Sequence, residues 1–375
     1  MGNSQTSDKK KKVLIIGASF GGFHAYMNLA KQFDVYVVDS KDFFEYTPGI
    51  HFSLVSNRSH DRLCLKYEDS IIRTGRFIFG KVVELQANSA IIKTPTETLT
   101  LEFDFCLITT GSKYPSPTKP SFELTTLAQR REQVKQVREQ IARAKSVLVK
   151  GAGIAGVEFA GELAVRGKKV VLSSRDGEIL KRLSRKAQNT AKAHLQRIGV
   201  TIVNASKAAE MEKNSEFDLV YDCTGNTFPI EDNILNKYFR ECRDDLGRVR
   251  VNQYMQICDQ SYAAPVPHIF AAGDGCLTMA NEDKSVLPLR QAVGAATDNI
   301  KEIALKKRGT LKLKEFPRDK KKLLSVAVVS MGNKSMIVFM KLVILLSVIT
   351  YFKYLVQTVY MFIFKGKKRS KKLQA

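Results

Sequence analysis

The chain has 375 residues, of which 44% are apolar, so it is long enough for two or three domains that each bury a core. Its formal net charge of +23 would suit a nucleic-acid-binding protein, but the last 70 residues hold 18 Lys and Arg against two acidic residues. The rest of the chain is nearly balanced. The six cysteines form neither a CxxC pair nor a zinc-binding cluster, which argues against paired thiols and against a metal site.

The N-terminal tail, residues 1–12, is polar and is predicted to be disordered. It begins MGNSQT, which matches the M-G-x-x-x-[ST] signal for myristoylation of Gly2 and is not a secretory signal. The lysines Lys9–Lys12 would add attraction to anionic lipid. Because one acyl chain holds a protein at a membrane only weakly, a second membrane-binding segment is expected.

The first regular elements predict a βαβ unit. Val13–Gly17 is a short apolar run that favours a buried strand, and a glycine-rich turn and a helix follow it. The next strand, Val35–Asp39, ends in an acid that would accept hydrogen bonds from a ribose. The turn departs from G-x-G-x-x-G at its second glycine, yet its N–H groups and the helix dipole would stabilise a pyrophosphate. The residues of this turn are Gly17, Ser19, Phe20, Gly21 and Gly22.

Five further segments are predicted as buried strands, each ending in Gly or a small polar residue where a ligand could approach the sheet. An amphipathic helix is expected between Ser121 and Lys145, because apolar residues recur there at three, four or seven positions. The proline-rich Gly111–Ser121 is typical of a crossing between domains, and a return crossing is expected near Gln260–Pro267. The five strands are Phe105–Gly111, Ser146–Gly151, Lys169–Ser174, Leu219–Gly225 and His268–Asp274.

A complete G-x-G-x-x-G occurs at Gly151, Gly153 and Gly156, directly after a predicted strand and at the start of a predicted helix. The next strand lacks the terminal acid that selects NAD, and Ser174 and Arg175 stand there instead. Because arginine at this position suits a 2′-phosphate, the choice between NADH and NADPH stays open, with NADPH slightly favoured.

The apolar stretch Met336–Phe364, followed by the basic run Lys365–Lys372, is predicted to bind a membrane. Its 29 residues would allow one transmembrane span, but such a span would place the basic run on the far side of the membrane. Helices that lie in the interface, with Lys341 and Lys353 reaching toward water, are therefore preferred. A helix buried in a domain is the alternative.

The order of motifs makes the chain recognisable. Two glycine fingerprints, with the strand-end motifs Thr109–Gly111 and Ala271–Asp274, resemble the flavoproteins that contain two dinucleotide-binding domains. Within that family the chain is most similar to type II NADH dehydrogenases and to the apoptosis-inducing-factor-like group that includes the myristoylated ferroptosis suppressor proteins. The resemblance covers roughly residues 10–332 and includes Asp39–Gly49 and Leu287–Ala296.

The resemblance implies that the first fingerprint binds FAD and the second binds NADH or NADPH. It places Glu158 beside the nicotinamide and Thr47 and Pro48 close to the flavin, as the catalytic residues. The other residues implied in binding FAD are Asp39, Thr110, Gly111 and Asp274, and Gly225 is added to those that bind NAD(P)H.

The expected fold is α/β, with two Rossmann-like domains, the second inserted in the first, and a membrane-associated C-terminal segment. The predicted limits are 1–12 for the tail, 13–115 and 262–305 for the FAD domain, 116–261 for the NAD(P)H domain, and 306–375 for the C-terminal region.

The leading hypothesis is an FAD-dependent NAD(P)H:quinone oxidoreductase, held at the cytoplasmic face of a membrane. Whether it forms a homodimer stays open. Without paired thiols, the flavin would pass electrons directly to a diffusible acceptor, and a quinone is the acceptor that the resemblance implies. Two alternatives stay open. One is an interaction protein whose basic tail binds nucleic acid or acidic partners, and the other is a reductase of a soluble acceptor.

Overall fold

The computed structural model describes residues 10–56, 60–74, 76–115, 117–121, 123–228, 233–282, 285–306, 309–319, 326–339, 342–347 and 349–366. The predicted myristoylation site Gly2, Lys9, Lys341 and most of the basic run Lys365–Lys372 lie outside these residues, as does the side chain of Lys353. The helices are, in chain order, α1 (Phe20–Leu29), α2 (Ile50–Val55), α3 (Leu127–Arg143), α4 (Ile154–Ala164), α5 (Arg185–Arg197), α6 (Ala205–Lys213), α7 (Val286–Leu305) and α8 (Ile349–Lys365).

The strands of the described residues are, in the same order, β1 (Lys12–Ile16), β2 (Asp34–Asp39), β3 (Phe43–Glu45), β4 (Cys64–Lys66), β5 (Arg76–Phe79), β6 (Lys81–Leu85), β7 (Ser89–Lys93), β8 (Thr98–Glu102), β9 (Phe105–Ile108), β10 (Ser146–Lys150), β11 (Lys169–Ser174), β12 (Val200–Asn204), β13 (Leu219–Asp222), β14 (Val249–Arg250), β15 (Gln256–Cys258), β16 (Pro265–Ala271), β17 (Cys276–Leu277), β18 (Val326–Met331), β19 (Lys334–Phe339) and β20 (Leu342–Leu346). All seven strands predicted from apolar runs are present.

The chain forms two compact units. The first is drawn from Met1–Ser40, Ile71–Ser112 and Phe228–Leu323, and the second from Lys41–Ser70, Lys113–Thr227 and Leu324–Ala375. The units break the chain after Ser40, Ser70, Ser112, Thr227 and Leu323, whereas the predicted limits lay after residues 115, 261 and 305. Residues 41–70 lie in the second unit because Asp42 hydrogen-bonds to Thr125 and Leu127, at the start of α3.

The first unit is built on a six-stranded sheet in the order β15-β16-β9-β1-β2-β5. All its pairings are parallel except that of β15 with β16. In β1 the side chains Val13, Leu14 and Ile15 are fully buried, as expected for a parallel strand that is covered on both faces. Helices α1 and α7 pack against each other, and β6, β7 and β8 form a separate antiparallel sheet.

The second unit contains a parallel four-stranded sheet in the order β12-β11-β10-β13. A second sheet, the antiparallel β18-β19-β20, packs on α4. The approach is close, since a Cβ added to Gly161 of α4 would lie 2.7 Å from the Cα of Met331. His194 of α5 also holds this sheet, with its Nε2 3.0 Å from the carbonyl oxygen of Met331.

The amphipathic helix predicted between Ser121 and Lys145 is α3, but it starts later than its apolar pattern suggested. Thr126 and Gln129 form a capping box, in which each side chain bonds the backbone of the other residue. Leu127, Val134 and Ile141 are buried, as predicted. The capping box therefore sets the start of the helix, and Leu124 lies in the preceding turn.

The prediction that the whole of Met336–Phe364 forms interfacial helices is wrong, because its first part forms β19 and β20. A turn at Gly332, whose φ is +69°, reverses the chain between β18 and β19. β18 and β20 contain Val or Ile, which favour strands, and β20 also has three Leu. Only α8 is helical, and no helix in the described part of the chain combines the length and hydropathy needed to cross a bilayer.

Candidate functional site

The first glycine-rich turn joins β1 to α1 in the first unit, and its backbone has no room for a side chain at Gly17 or Gly22. Gly17 has φ +97°, and a Cβ there would lie 2.6 Å from the carbonyl oxygen of Thr109. At Gly22 a Cβ would lie 1.9 Å from the carbonyl oxygen of Gly17. Ser19 is the N-cap of α1, and its side chain makes no hydrogen bond to the helix. The first turn of α1, which begins with Phe20 and Gly21, contains no acidic residue. This helix N-terminus fits an anionic group.

Asp39, at the end of β2, is buried, and its Oδ2 accepts a hydrogen bond of 2.7 Å from the N–H of Ala18. The carboxylate therefore fixes the turn between β1 and α1 from the neighbouring strand. The prediction that it also binds a ribose stays a prediction, and the geometry is compatible with it because one carboxylate can accept several hydrogen bonds.

The ends of β9 and β16 come together beside this turn. The Thr109 hydroxyl donates to the carbonyl oxygen of Gly17 at 2.7 Å. A Cβ added to Gly275 would lie 2.6 Å from the carbonyl oxygen of Gly111. Asp274 accepts a hydrogen bond of 3.5 Å from the Ser112 hydroxyl. The strand ends that carry Thr110, Gly111 and Asp274 are thus brought together with the first fingerprint, as the sequence predicted.

The second glycine-rich turn joins β10 to α4 in the second unit and repeats the geometry of the first. Gly151 has φ +95°, and a Cβ there would lie 2.5 Å from the carbonyl oxygen of Cys223. At Gly156 a Cβ would lie 1.8 Å from the carbonyl oxygen of Gly151. Gly153 differs, because a Cβ there would meet nothing within 4 Å. The described first turn of α4 also has no acidic residue.

The end of β11 lies in the same unit. The Ser174 hydroxyl is buried and has no hydrogen-bond partner among the described residues, and Arg175 is exposed. Gly225, after β13, has φ +55° and open space around it. The unexpected charge of Lys150, just before the second fingerprint, is balanced by Glu212 of α6 at 2.8 Å.

Glu158 of α4 is buried, and its Oε1 accepts a hydrogen bond of 3.0 Å from the N–H of Ser330 in β18. Its Oε2 lies 3.7 Å from Nδ1 of His51 in α2, a residue that the sequence patterns did not single out. Thr47 and Pro48 form the short 3₁₀ helix that leads into α2. The three residues predicted to be catalytic therefore lie in one unit, and α2 packs against α4.

A second buried cluster of the same unit was also missed. Arg130 of α3 is fully buried, and its Nε and one terminal nitrogen donate to the two oxygens of Glu45 at 2.9 and 3.1 Å. His60 Nε2 lies 2.5 Å from Glu45 and 3.3 Å from the sulfur of Cys64. Burial raises the pKa of Glu45, but Arg130 and His60 outweigh it, so the net shift is downward. No spacing in the sequence signals these contacts.

Glu45, His60 and Cys64 converge closely enough to offer three ligand atoms to a metal ion, although the sequence predicted none. Arg130 already holds both carboxylate oxygens, so a cation would have to compete with it. Burial, the main influence, raises the pKa of the Cys64 thiol well above its usual value. The cluster is explained as a buried ion pair with its hydrogen bonds completed.

Both glycine-rich turns fit the dinucleotides predicted for them. Each presents the N–H groups of a helix N-terminus without an acidic side chain to repel a phosphate. Open space surrounds Gly153 in the second turn and Gly111 beside the first, and a Cβ at either position would project into it. The six cysteines, all described, are free and buried, so neither fingerprint has a disulfide beside it.

The sequence model of the pyridine nucleotide-disulphide oxidoreductase family matches residues 11–298. Apoptosis-inducing factor homolog B of Dictyostelium discoideum is 29% identical over 178 residues, which cover 48% of this chain and under half, 44%, of that protein. Ferroptosis suppressor protein 1 of Xenopus tropicalis is 30% identical over 304 residues, covering 73% of this chain and 76% of that protein. The structure of NDH2 from Plasmodium falciparum in complex with NADH matches with a TM-score of 0.71 over 95% of this chain and 96% of that one. At 10% identity, that match shows the fold alone.

Proposed function

The chain belongs to the pyridine nucleotide-disulphide oxidoreductase family, and from this membership we propose that it is an NAD(P)H:quinone oxidoreductase that acts at a membrane surface. FAD and NADH or NADPH are its cofactors, as the sequence predicted, and it is a flavin-dependent NAD(P)H oxidoreductase. The proposal adds the acceptor, the membrane and the roles of individual residues.

One observation carries the choice of acceptor. All six cysteines are free and buried, and their positions in the sequence include no CxxC pair. A relay of electrons through paired thiols therefore has no residues to use. The acceptor must then be reduced directly, and a quinone is the acceptor that the resemblance to type II NADH dehydrogenases implies.

The proposal assigns roles to the predicted cofactor-binding residues. In the first unit the turn from Gly17 to Gly22 binds the FAD pyrophosphate through backbone N–H groups, Asp39 binds the ribose, and Thr110, Gly111 and Asp274 complete the site. When bound, FAD accepts a hydride and passes electrons on, while these residues hold and orient it. In the second unit Gly151, Gly153 and Gly156 bind the NAD(P)H pyrophosphate, with Gly225 at the edge.

We expect the nucleotide-binding site of the second unit to prefer NADPH slightly over NADH. The unpaired Ser174 hydroxyl and the exposed guanidinium of Arg175 are both available to a 2′-phosphate at the end of β11. Replacing Arg175 with Ala should lower kcat/KM for NADPH about tenfold and change that for NADH less than about twofold, since only NADPH carries the extra phosphate. Steady-state kinetics with both nucleotides measure this. Arg197→Ala, at the far end of α5, is the control, and an equal loss with both nucleotides would refute the assignment.

The membrane proposal rests on α8 and β20. Val359, Phe362 and Ile363 of α8 are exposed, Phe362 by 66%, although all three are apolar. The other face of α8 is anchored, since the Phe364 ring stacks on Phe44 at 4.2 Å between centroids. Leu342 and Leu346 of β20 are also exposed. An exposed apolar face that is followed by Lys365 and a basic run suits an anionic lipid surface.

Replacing Phe362 with Asp should reduce binding to vesicles that contain phosphatidylserine by about tenfold or more, because burial of a Phe side chain contributes about 1.5–3 kcal/mol. Thr358→Asp adds the same charge one helical turn earlier on the same exposed face, where no apolar side chain is lost, and is the matched control. Flotation of the myristoylated chain with vesicles measures the bound fraction. If both variants lose binding equally, charge alone explains the loss and the apolar face has no role.

The proposed function is tested in one series of spectra. Purified protein should show flavin absorbance, anaerobic NADH or NADPH should bleach it, and a ubiquinone analogue should restore it. Flavin that is bleached but is not reoxidised by any quinone would refute the quinone assignment and favour a soluble acceptor.

A further inference from the structure

A line of buried polar groups in the second unit leads to Glu158. His51 of α2 is 5% exposed, and its Nε2 lies 3.1 Å from the Thr118 hydroxyl oxygen. Its Nδ1 has no hydrogen-bond partner among the described residues, although it lies 3.7 Å from Oε2 of Glu158. An unpaired buried nitrogen costs about 1–3 kcal/mol, so its retention calls for an explanation.

Glu158 is held in place from its other side. Its Oε1 accepts the hydrogen bond from the N–H of Ser330, and Oε2 is the atom that faces His51. The His51 ring is also fixed, because it stacks on Phe159 with 5.2 Å between ring centroids. The imidazole and the carboxylate therefore face each other at an ion-pair distance, slightly longer than a hydrogen bond. Such contacts in catalytic sites commonly shorten when substrate binds.

Three other ionisable side chains lie near α2 and α4. Burial, and to a lesser extent the charge of Glu158, raises the pKa of Tyr46 to about 12, so this phenol keeps its proton. Arg138 of α3 donates to Ser53, and Arg166 of α4 lies over the Phe52 ring. His51 is the imidazole that faces Oε2 of Glu158, and an imidazole can both donate and accept a proton.

The proposed reaction requires one proton that the nucleotide does not supply. NAD(P)H and a quinone give NAD(P)⁺ and a quinol only if one proton is added, since the hydride brings two electrons and a single proton. That proton comes from water and must reach a buried site. This step rests on the proposed function.

We propose that His51 is a proton-relay residue that reprotonates Glu158 during quinone reduction. In the neutral ring the Nδ1–H bond breaks as an O–H bond forms at Oε2 of Glu158, while Nε2 takes a proton from the Thr118 hydroxyl, which is refilled from water. The carboxyl is then neutral and the ring carries its proton at Nε2, and proton exchange with water restores the Nδ1–H tautomer before the next turnover. Each transfer moves one proton and no electron. His51 acts through Glu158, so it positions and supplies protons without touching the reacting atoms.

The test compares an acceptor that needs a proton with one that does not. In His51→Gln, turnover with a ubiquinone analogue should fall about tenfold or more, because proton delivery becomes limiting. Turnover with ferricyanide, which takes electrons alone, should change less than about twofold. His194→Gln is the matched control, since His194 is also buried but bonds Met331 in the β18 sheet. Equal losses with both acceptors, or no loss with quinone, would overturn the relay.

A second measurement does not depend on turnover. In protein labelled with ¹⁵N-histidine, the His51 ring should give a protected downfield Nδ1–H resonance that shifts in Glu158→Gln and is unmoved in His194→Gln. A ring that exchanges freely and ignores Glu158 would refute the pair. If His51→Gln does not fold, Thr118→Val interrupts the same line and should reproduce the quinone-specific loss. If the wild-type protein reduces no quinone, the proposed function fails, and the resonance still decides whether the pair shares a proton.

Discussion

Replacing Glu45 with Gln is expected to lower the free energy of unfolding by about 3–5 kcal/mol, which is the usual cost of leaving a buried charge unpaired. Arg130 is fully buried and donates to both Glu45 oxygens, to the carbonyl oxygen of Pro117 and to Gln133. An amide in place of the carboxylate keeps the shape of the contact but not the charge. Urea unfolding at pH 7 measures the loss.

The neighbouring residue supplies a matched control. Arg131 pairs with Asp61 at 2.6 Å, but both side chains are more than half exposed. Water screens this pair, so Asp61→Asn should cost less than about 1 kcal/mol. A double variant, Glu45→Gln with Arg130→Met, should recover much of the loss, because no charge is then left unpaired. A small loss in Glu45→Gln alone would mean that water reaches and solvates Arg130 in the folded chain.

The same pair predicts a pH dependence. The folded-state pKa of Glu45 is depressed, so its contribution to stability is fully present above the unfolded carboxyl pKa. It is lost as the pH falls through the lower, folded-state pKa. The stability difference between wild type and Glu45→Gln should therefore shrink under acid conditions, and unfolding curves at a series of pH values below 5 would show whether it does.

Local patterns were sufficient to predict most of the parallel framework. The uninterrupted apolar runs Val13–Gly17 and Ser146–Gly151 predict strands buried on both faces, and the glycines that follow them predict tight turns with positive φ. These features follow from neighbouring residues, so the sequence contains all the information needed to find them.

Contacts between distant residues could not be predicted in this way. Glu45 and Arg130 are 85 positions apart, and Glu158 and Ser330 are 172 positions apart, so no periodicity connects them. The C-terminal strands were missed for a related reason. A long apolar run has similar hydropathy as a helix or as strands, and only the turn at Gly332 and the preference of Val and Ile for strands indicated β structure.

Among the glycines of the second fingerprint, Gly153 is the one that the fold does not require, so replacing it tests ligand binding alone. A Cβ at Gly151 would collide with the Cys223 carbonyl and demand an unfavourable positive φ, so Gly151→Ala should destabilise the unit itself. A Cβ at Gly153 meets nothing within 4 Å. Gly153→Ala should therefore cost less than about 1 kcal/mol of stability, as expected for alanine at a helix N-cap.

If the N–H groups at the start of α4 bind the pyrophosphate of NAD(P)H, the added methyl group of Gly153→Ala occupies the space that the phosphate needs. The rate of flavin reduction at low NADPH should then fall about 100-fold or more, a change of about 2.7 kcal/mol. Bound FAD and the melting temperature should stay near their wild-type values, because the first fingerprint is untouched. Stopped-flow bleaching and flavin content are measured on the same sample. A variant that reduces its flavin at the wild-type rate would show that the nucleotide binds elsewhere, whereas loss of FAD would show that the damage had spread beyond this turn.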